Sequence, residues 1–272
     1  MKIVLLLTAV AVALARCDGP ASGPTVPVSG AAGAGDCRAQ VVGGVSPALL
    51  RSALKPQVVA LCYTGYSALV SGLTRTPLWS AELLTPATIA AARQLQRVDE
   101  FHPDPHLPPG VRAELDDYRR SGFDRGHMSP SGDMPTAQAQ AESFSLANVV
   151  PQTANLNRGS WSTLESSVRR LATRYGAAYV VTGPSFEGST LQSLKGRVTV
   201  PTETYKAVYV PGLGAAAWVA TNDNEPAVRE VSVAELTALI GIDPFPSLAA
   251  TVKSTAALPQ PHRHFHRESS YD

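Results

Sequence analysis

The chain has almost no excess of either charge. Its 23 Lys and Arg stand against 22 Asp and Glu, a formal net charge of +1. Binding nucleic acid by bulk polycation charge is therefore excluded, and a stable sequence-specific binder is disfavoured. Any positive field must be gathered locally. Cysteine is scarce, at 3 residues, and no CxxC or Cys/His grouping suggests structural zinc. No Walker loop, dinucleotide fingerprint or internal repeat is present, so nucleotide-cradle chemistry and repeat folds have no support. The apolar run Met1–Ala15 is too short and wrongly flanked to span a bilayer.

That run follows Lys2 and reads as a secretory signal peptide over residues 1–16. Cys17 comes next and raises a lipid-anchored alternative, although Arg16 stands where lipoprotein signals carry small residues. Without acylation of Cys17, no stable membrane insertion is expected, and the product is secreted or periplasmic. Residues 17–36 are rich in Gly, Pro and Ala and cannot bury enough apolar surface to order themselves, so they read as a flexible linker. In an exported protein, Cys37 and Cys62 are expected to form a disulfide that pins the N-terminal segment to a sheet; two buried thiols are the alternative. The remainder divides into a folded domain over 37–252 and a disordered tail over 253–272. That tail carries His262, His264 and His266, a weak transition-metal set at most.

The chemistry is concentrated between Ser121 and Glu165. Asp124-Arg125-Gly126-His127 places a carboxylate, a cation and an imidazole together. Gly126 allows a tight turn or close approach of another chain. A histidine near neutral pKa takes a proton from water, and an arginine fork suits phosphate oxygens. In isolation the motif also reads as a surface turn with an ion pair. Downstream, Asn148, Gln152, Asn155 and Asn157 crowd a short segment, and amides are ligands for hard cations. Trp161, Leu164, Val168, Leu171 and Tyr175 recur at helical spacing and predict one buried stripe. Asn157 falls at the helix start, as an N-cap or a metal ligand. Glu165 lies eight residues on, roughly 80° around and about 12 Å along a helix. It is therefore placed behind the ion's waters or left as a solvated carboxylate.

Together these residues resemble the DNA/RNA non-specific endonuclease family, the Serratia-type nucleases with a ββα-metal site. The matching positions are Asp124-Arg125-Gly126-His127, then Asn148, Pro151, Gln152, Leu156, Asn157, Gly159, Trp161, Leu164 and Glu165. The resemblance spans about Cys37 to Leu248. It implies an α+β fold, a central antiparallel sheet with flanking helices and a ββα finger that holds the site. It further implies His127 as general base, one Mg2+ or Mn2+ ion on Asn157, and Arg97 gripping the phosphate with Arg125 as helper. Glu165 would orient the ion's waters, Asn148 would hold backbone or a metal water, Asp124 would fix the DRGH turn, and Gln152 would support the site from behind. DNA and RNA are the implied substrates, cut with little sequence preference. A homodimer and an inhibitor protein are compatible partners. The alternative on the same fold is a catalytically silent exported nucleic-acid-binding module.

Other segments carry structural expectations. Val58–Val70 reads as a strand or hairpin, with Trp79 and Leu83 as core. Helices are expected over 86–95 and 111–120, the second placing Asp116 and Asp117 in structural or surface roles. His102 and His106 are expected to face solvent in a Pro-rich loop, and Phe144 and Leu146 to pack beneath the site. Arg169, Arg170 and Arg174 read as surface charge that could together hold a polyanion. Strands are expected over 177–183, 198–209 and 216–221. Ser232-Val233-Ala234-Glu235 is a capping box for a helix ending near Gly241.

Overall fold

Strand alternation sorts the apolar residues onto the two faces of one sheet. The computed structural model describes residues 37–259, so the expected signal peptide and linker, Cys17 and the three tail histidines lie outside the described residues. A seven-stranded antiparallel sheet runs in the order Val228–Val231, Gly214–Thr221, Glu203–Val210, Ala178–Ser185, Thr76–Leu84, Ser67–Ser71, Val58–Cys62. Successive side chains point to opposite faces. Trp79, Ala81, Val181, Tyr205 and Val219 therefore pack on one face with Val233, Leu236 and Ile240. Leu84, Val180, Val208 and Trp218 pack on the other with Trp161, Leu164 and Val168. Each fully buried side chain of this size contributes roughly 1.5–3 kcal/mol. Helices thus flank a central antiparallel sheet, as the α+β expectation held.

The second face positions the site. Its helix, Ser162–Tyr175, buries Leu164, Val168 and Ala172 at a spacing of four. Leu171 packs from the edge. Tyr175 is exposed, contrary to the expected stripe. A short two-strand ribbon, Asp124–His127 against Val149–Gln152, stands beside that helix.

The hairpin Val58–Cys62 to Ser67–Ser71 forms as expected. Cys37 and Cys62 are joined, with Cα atoms 5.8 Å apart across a sequence separation of 25. The Ser232 box is reciprocal: Glu235 N donates to Ser232 Oγ at 3.1 Å and Ser232 N to Glu235 Oε2 at 2.7 Å. Gly241 ends that helix at φ 70°.

Several expectations change. The helix over 111–120 shrinks to Leu115–Tyr118, because Glu114 is extended and caps it reciprocally with Asp117. The strand over 198–209 splits into Val198–Thr199 and Glu203–Val210 around Pro201, which has no N–H to donate. The helix Ala137–Ser143, capped by Thr136, and the edge strand Val228–Val231 were not foreseen. Order continues past residue 252, since Ala257 N donates to Ala215 O at 3.0 Å and Leu258 is buried.

Candidate active site

The Asp124–His127 segment is a strand, which selects the second of the two roles open to Gly126. Gly126 lies opposite Val150, and a Cβ there would sit 1.9 Å from Gln152 Oε1. Close approach, not turning, requires the glycine. Alternation then sends Asp124 to one side of the ribbon and Arg125 and His127 to the other.

On the first side, Asp124 ties the ribbon to the segment before the helix. Its Oδ2 accepts from Asn157 Nδ2 at 3.0 Å and from Arg158 Nε at 2.7 Å, and its Oδ1 from Arg158 Nη2 at 2.6 Å. The Arg158 bonds, helped by Asn157, hold the Asp124 carboxyl below its ordinary range against the opposing effect of burial. Asn157 is not an N-cap. Residues Leu156–Trp161 form a wide turn broken at Gly159 (φ −105°, ψ −106°), and the regular helix begins only at Ser162. The Asn157 amide is thereby oriented with Nδ2 on Asp124, which leaves Oδ1 as the end available to a cation.

On the second side, His127 is buried, at 8% exposure, and its Nε2 has no hydrogen-bond partner. Burial first, then the nearby Arg97 cation, pull its pKa down to about 3, with Asp99 opposing. The imidazole is neutral and can accept a proton. An incoming phosphate anion would raise its basicity. Phe144 meets the ring edge-on at 5.0 Å and Phe101 lies at 5.2 Å. Phe144 and Leu146 are fully buried here, as expected.

Arg97 reaches the same place. Its guanidinium lies over Phe144 at 5.2 Å, with Nε on Asp99 at 2.6 Å and Nη1 on Ser131 Oγ at 2.8 Å. Arg125 stacks over Phe101 at 5.1 Å and Tyr118 at 5.8 Å. Asn148 is wholly occupied with structure: its amide bonds Ser80 Oγ, Ser129 N, Ser129 O and Ser143 O at 2.8–3.0 Å. It holds backbone and has no amide group left for a metal water. Gln152 is fully buried with neither amide atom partnered.

Glu165 is not a solvated helix carboxylate. Burial raises its pKa to about 7; Lys206, Arg169 and Arg97 oppose that rise and Asp133 adds to it. The neighbouring charges went unseen in the sequence. Glu82 is buried with both oxygens unpartnered, Lys206 donates to Thr182 Oγ1 at 2.7 Å, and Asp133 pairs with Arg169 at 2.6 Å. Arg169 is therefore not surface charge, while Arg170 is exposed. The available signal was a charge inside an apolar strand, in LWSAELL and in TYKAVYV.

The surface assignments hold for Asp116, while buried Asp117 pairs with Arg197 at 2.8 Å, a structural role. His106 is exposed. His102 is only half-exposed, because its backbone bridges Phe144 and Leu146.

Among the described residues no group of three His, Cys, Asp or Glu side chains could hold a metal. The donor that fits is the single amide oxygen of Asn157, oriented by Asp124. One protein oxygen and a water-rich shell suit a hard cation such as magnesium.

A two-strand ribbon that delivers a histidine, followed by a helix segment that delivers an amide and a carboxylate, is the arrangement of a ββα-metal nuclease. The chain belongs to the DNA/RNA non-specific endonuclease family, whose profile matches residues 49–251. It is 35% identical over 198 residues to a nuclease of Nostoc sp., covering 66% of this chain and 70% of that one. It is 32% identical over 215 residues to the mitochondrial nuclease EXOG of Homo sapiens, covering 71% of this chain and 58% of the relative. Nuclease C1 of Cunninghamella echinulata is 39% identical over 149 residues, covering 50% of this chain and 59% of the relative. A chain in the crystal structure of the EndoG/EndoGI complex superposes with a TM-score of 0.65 at 28% identity, covering 72% of this chain and 89% of that chain.

Proposed function

We propose that the protein is an exported, divalent-metal-dependent endonuclease that hydrolyses phosphodiester bonds of DNA and RNA with little sequence preference. One observation carries the reading: a neutral, buried His127 with a partnerless Nε2 stands beside Arg97 in a chain of this family. A buried, neutral imidazole with an unpartnered ring nitrogen suits a general base.

His127 would take a proton from the water that attacks phosphorus. Arg97 and Arg125 would face the charge that develops on the phosphoryl oxygens. Asn157 would hold one Mg2+ or Mn2+ ion, steadied by Asp124, and Glu165 would orient the ion's waters. When bound, that ion supplies positive charge to the phosphate and the leaving oxygen. The groups named here address phosphate and water rather than base edges, which supports weak sequence preference.

Export is supported by the Cys37–Cys62 bond, since disulfides persist in oxidising compartments. Labelling of Cys17 in a membrane fraction would replace the secreted form with a lipid-anchored one. By analogy with the EndoG/EndoGI complex, an inhibitor protein is a fitting partner; a homodimer would show in the solution mass.

The test is degradation of plasmid and RNA with magnesium, with EDTA, and with His127→Ala. Loss of both substrates only when magnesium and His127 are present supports the reading. A folded protein that cleaves neither under any divalent metal refutes it and leaves a catalytically silent binding module.

A further inference from the structure

Phe101 stands between the two chemistry-bearing side chains of the Asp124–His127 strand. Its ring centroid lies 5.2 Å from that of His127 and 5.1 Å from the Arg125 guanidinium carbon. Phe144 meets it edge-on at 4.9 Å and 88°. Residues two apart on one strand face are separated by about 6.5–7 Å, a gap that accommodates one aromatic ring. The loop that brings Phe101 there is stitched down. His102 N donates to Phe144 O at 3.2 Å, Leu146 N to His102 O at 2.9 Å, and Ser145 Oγ to buried Asp104 at 2.6 Å.

The contact leaves reactive atoms unoccupied. Arg125 Nε is buried without a partner, and no carboxylate pairs with Arg125 among the described residues. Ring faces attract a guanidinium through their quadrupole and leave its N–H donors free; a carboxylate would occupy them. Arg97, by contrast, has Nε on Asp99 and Nη1 on Ser131. His127 Nε2 is likewise buried without a partner.

We propose that Phe101 is a positioning residue: it spaces His127 from Arg125 and shields the imidazole, while leaving Nε2 and the guanidinium donors to the attacking water and the phosphodiester. The inference rests on the nuclease reading above. Misplacement of a base by about 1 Å can cost on the order of 100-fold in rate, so the spacer acts on turnover more than on binding.

The experiment compares Phe101→Leu, which removes the ring, with Phe101→Tyr, which keeps it. Three quantities are read: kcat and KM on plasmid, the pH profile of kcat/KM, and the His127 imidazole titration by NMR in metal-free protein. The charged groups acting on His127 are Arg97 and Asp99 from the preceding loop, with Arg125 across the Phe101 ring, and all remain in both variants. For Phe101→Leu, kcat should fall about tenfold or more with KM little changed. Its imidazole should titrate at higher pH, because water reaches the ring, and the acid limb of the profile should follow. Phe101→Tyr should restore all three. A folded Phe101→Leu protein with unchanged kcat and unchanged titration overturns the proposal. Should that variant not fold, Phe101→Met, which keeps a long apolar side chain, is read by the same criteria. A parent protein without turnover would refute the nuclease reading, while the titration would still decide whether Phe101 shields His127.

Discussion

Asp124 and Asn157, 33 positions apart, are joined by a 3.0 Å hydrogen bond from the amide to the carboxylate. That bond fixes which end of the amide faces outward. The carboxylate thereby clamps the loop that carries Asn157. Arg158, on the same carboxylate, neutralises its charge and keeps it turned toward the loop.

Asp124→Ala should therefore weaken metal activation rather than abolish folding. Lost support of a metal ligand typically reduces affinity 10–100-fold, and a shift of about that size is expected in the metal concentration for half-maximal activity. Activity at saturating magnesium should recover in part. An unaltered metal titration would show that Asn157 holds its orientation unaided.

Gly126→Ala should destabilise the fold. The added methyl would meet Gln152 Oε1 at 1.9 Å and Cδ at 2.3 Å. Overpacking of this kind costs about 1–3 kcal/mol, and each kcal/mol lowers Tm by roughly 2–4 °C at this size. A thermal melt decides it. An unshifted Tm would mean that Gln152 swings away freely.

Glu165 gives a pH dependence with a defined sign. Its folded pKa, about 7, lies above its ordinary value of 4.5. The folded state therefore binds the proton more tightly. The associated stability is present below pH ~4.5 and is lost as pH rises to about 7. Glu165→Gln should be more stable than the parent at pH 8, and the gap should narrow toward pH 5. Urea midpoints at the two pH values measure this, and a gap independent of pH would place the carboxylate in a better-solvated setting. Activity of the variant should fall if the carboxylate orients the ion's waters.

His127 has the opposite sign. With a folded pKa near 3 and an ordinary value of 6.5, it favours unfolding progressively as pH falls from about 6.5 to 3. His127→Gln should lose less stability than the parent across that window, as read by urea midpoints at pH 4 and 7. Equal losses in both proteins would mean that His127 titrates normally.

Reduction of the Cys37–Cys62 bond should lower stability by roughly 3–4 kcal/mol for a loop of this length. Catalysis at a temperature where the fold persists should change little. A reduced protein that melts with the oxidised one would show that the N-terminal segment stays docked without the link.

Much of the site was legible because its motif residues sit close together along the chain. His127, Asn157 and Glu165 were found at the spacing that carries the family resemblance. The capping box at Ser232 and the helix stop at Gly241 are local too, since each is satisfied by residues within one or two turns. The paired strands announced themselves by alternation, although alternation could not say which strand pairs with which.

What only the tertiary structure decided is what each motif residue faces. Gly126 was legible as a special position, but whether it turns or admits a neighbour depended on Gln152 arriving across the ribbon. Asn157 suited a cap until Asp124, from another strand, took its amide. Glu82 and Lys206 stand in sequence as single charges in apolar strands. They become neighbours of Glu165 only because the register stacks their strands beneath one helix. Phe144 was legible as packing beneath the site, but Phe101 gave no signal until its loop was set against His127. Sequence spacing fixes the period and local partners of a residue, whereas register and layer packing choose its distant ones, and those set burial, charge and chemistry.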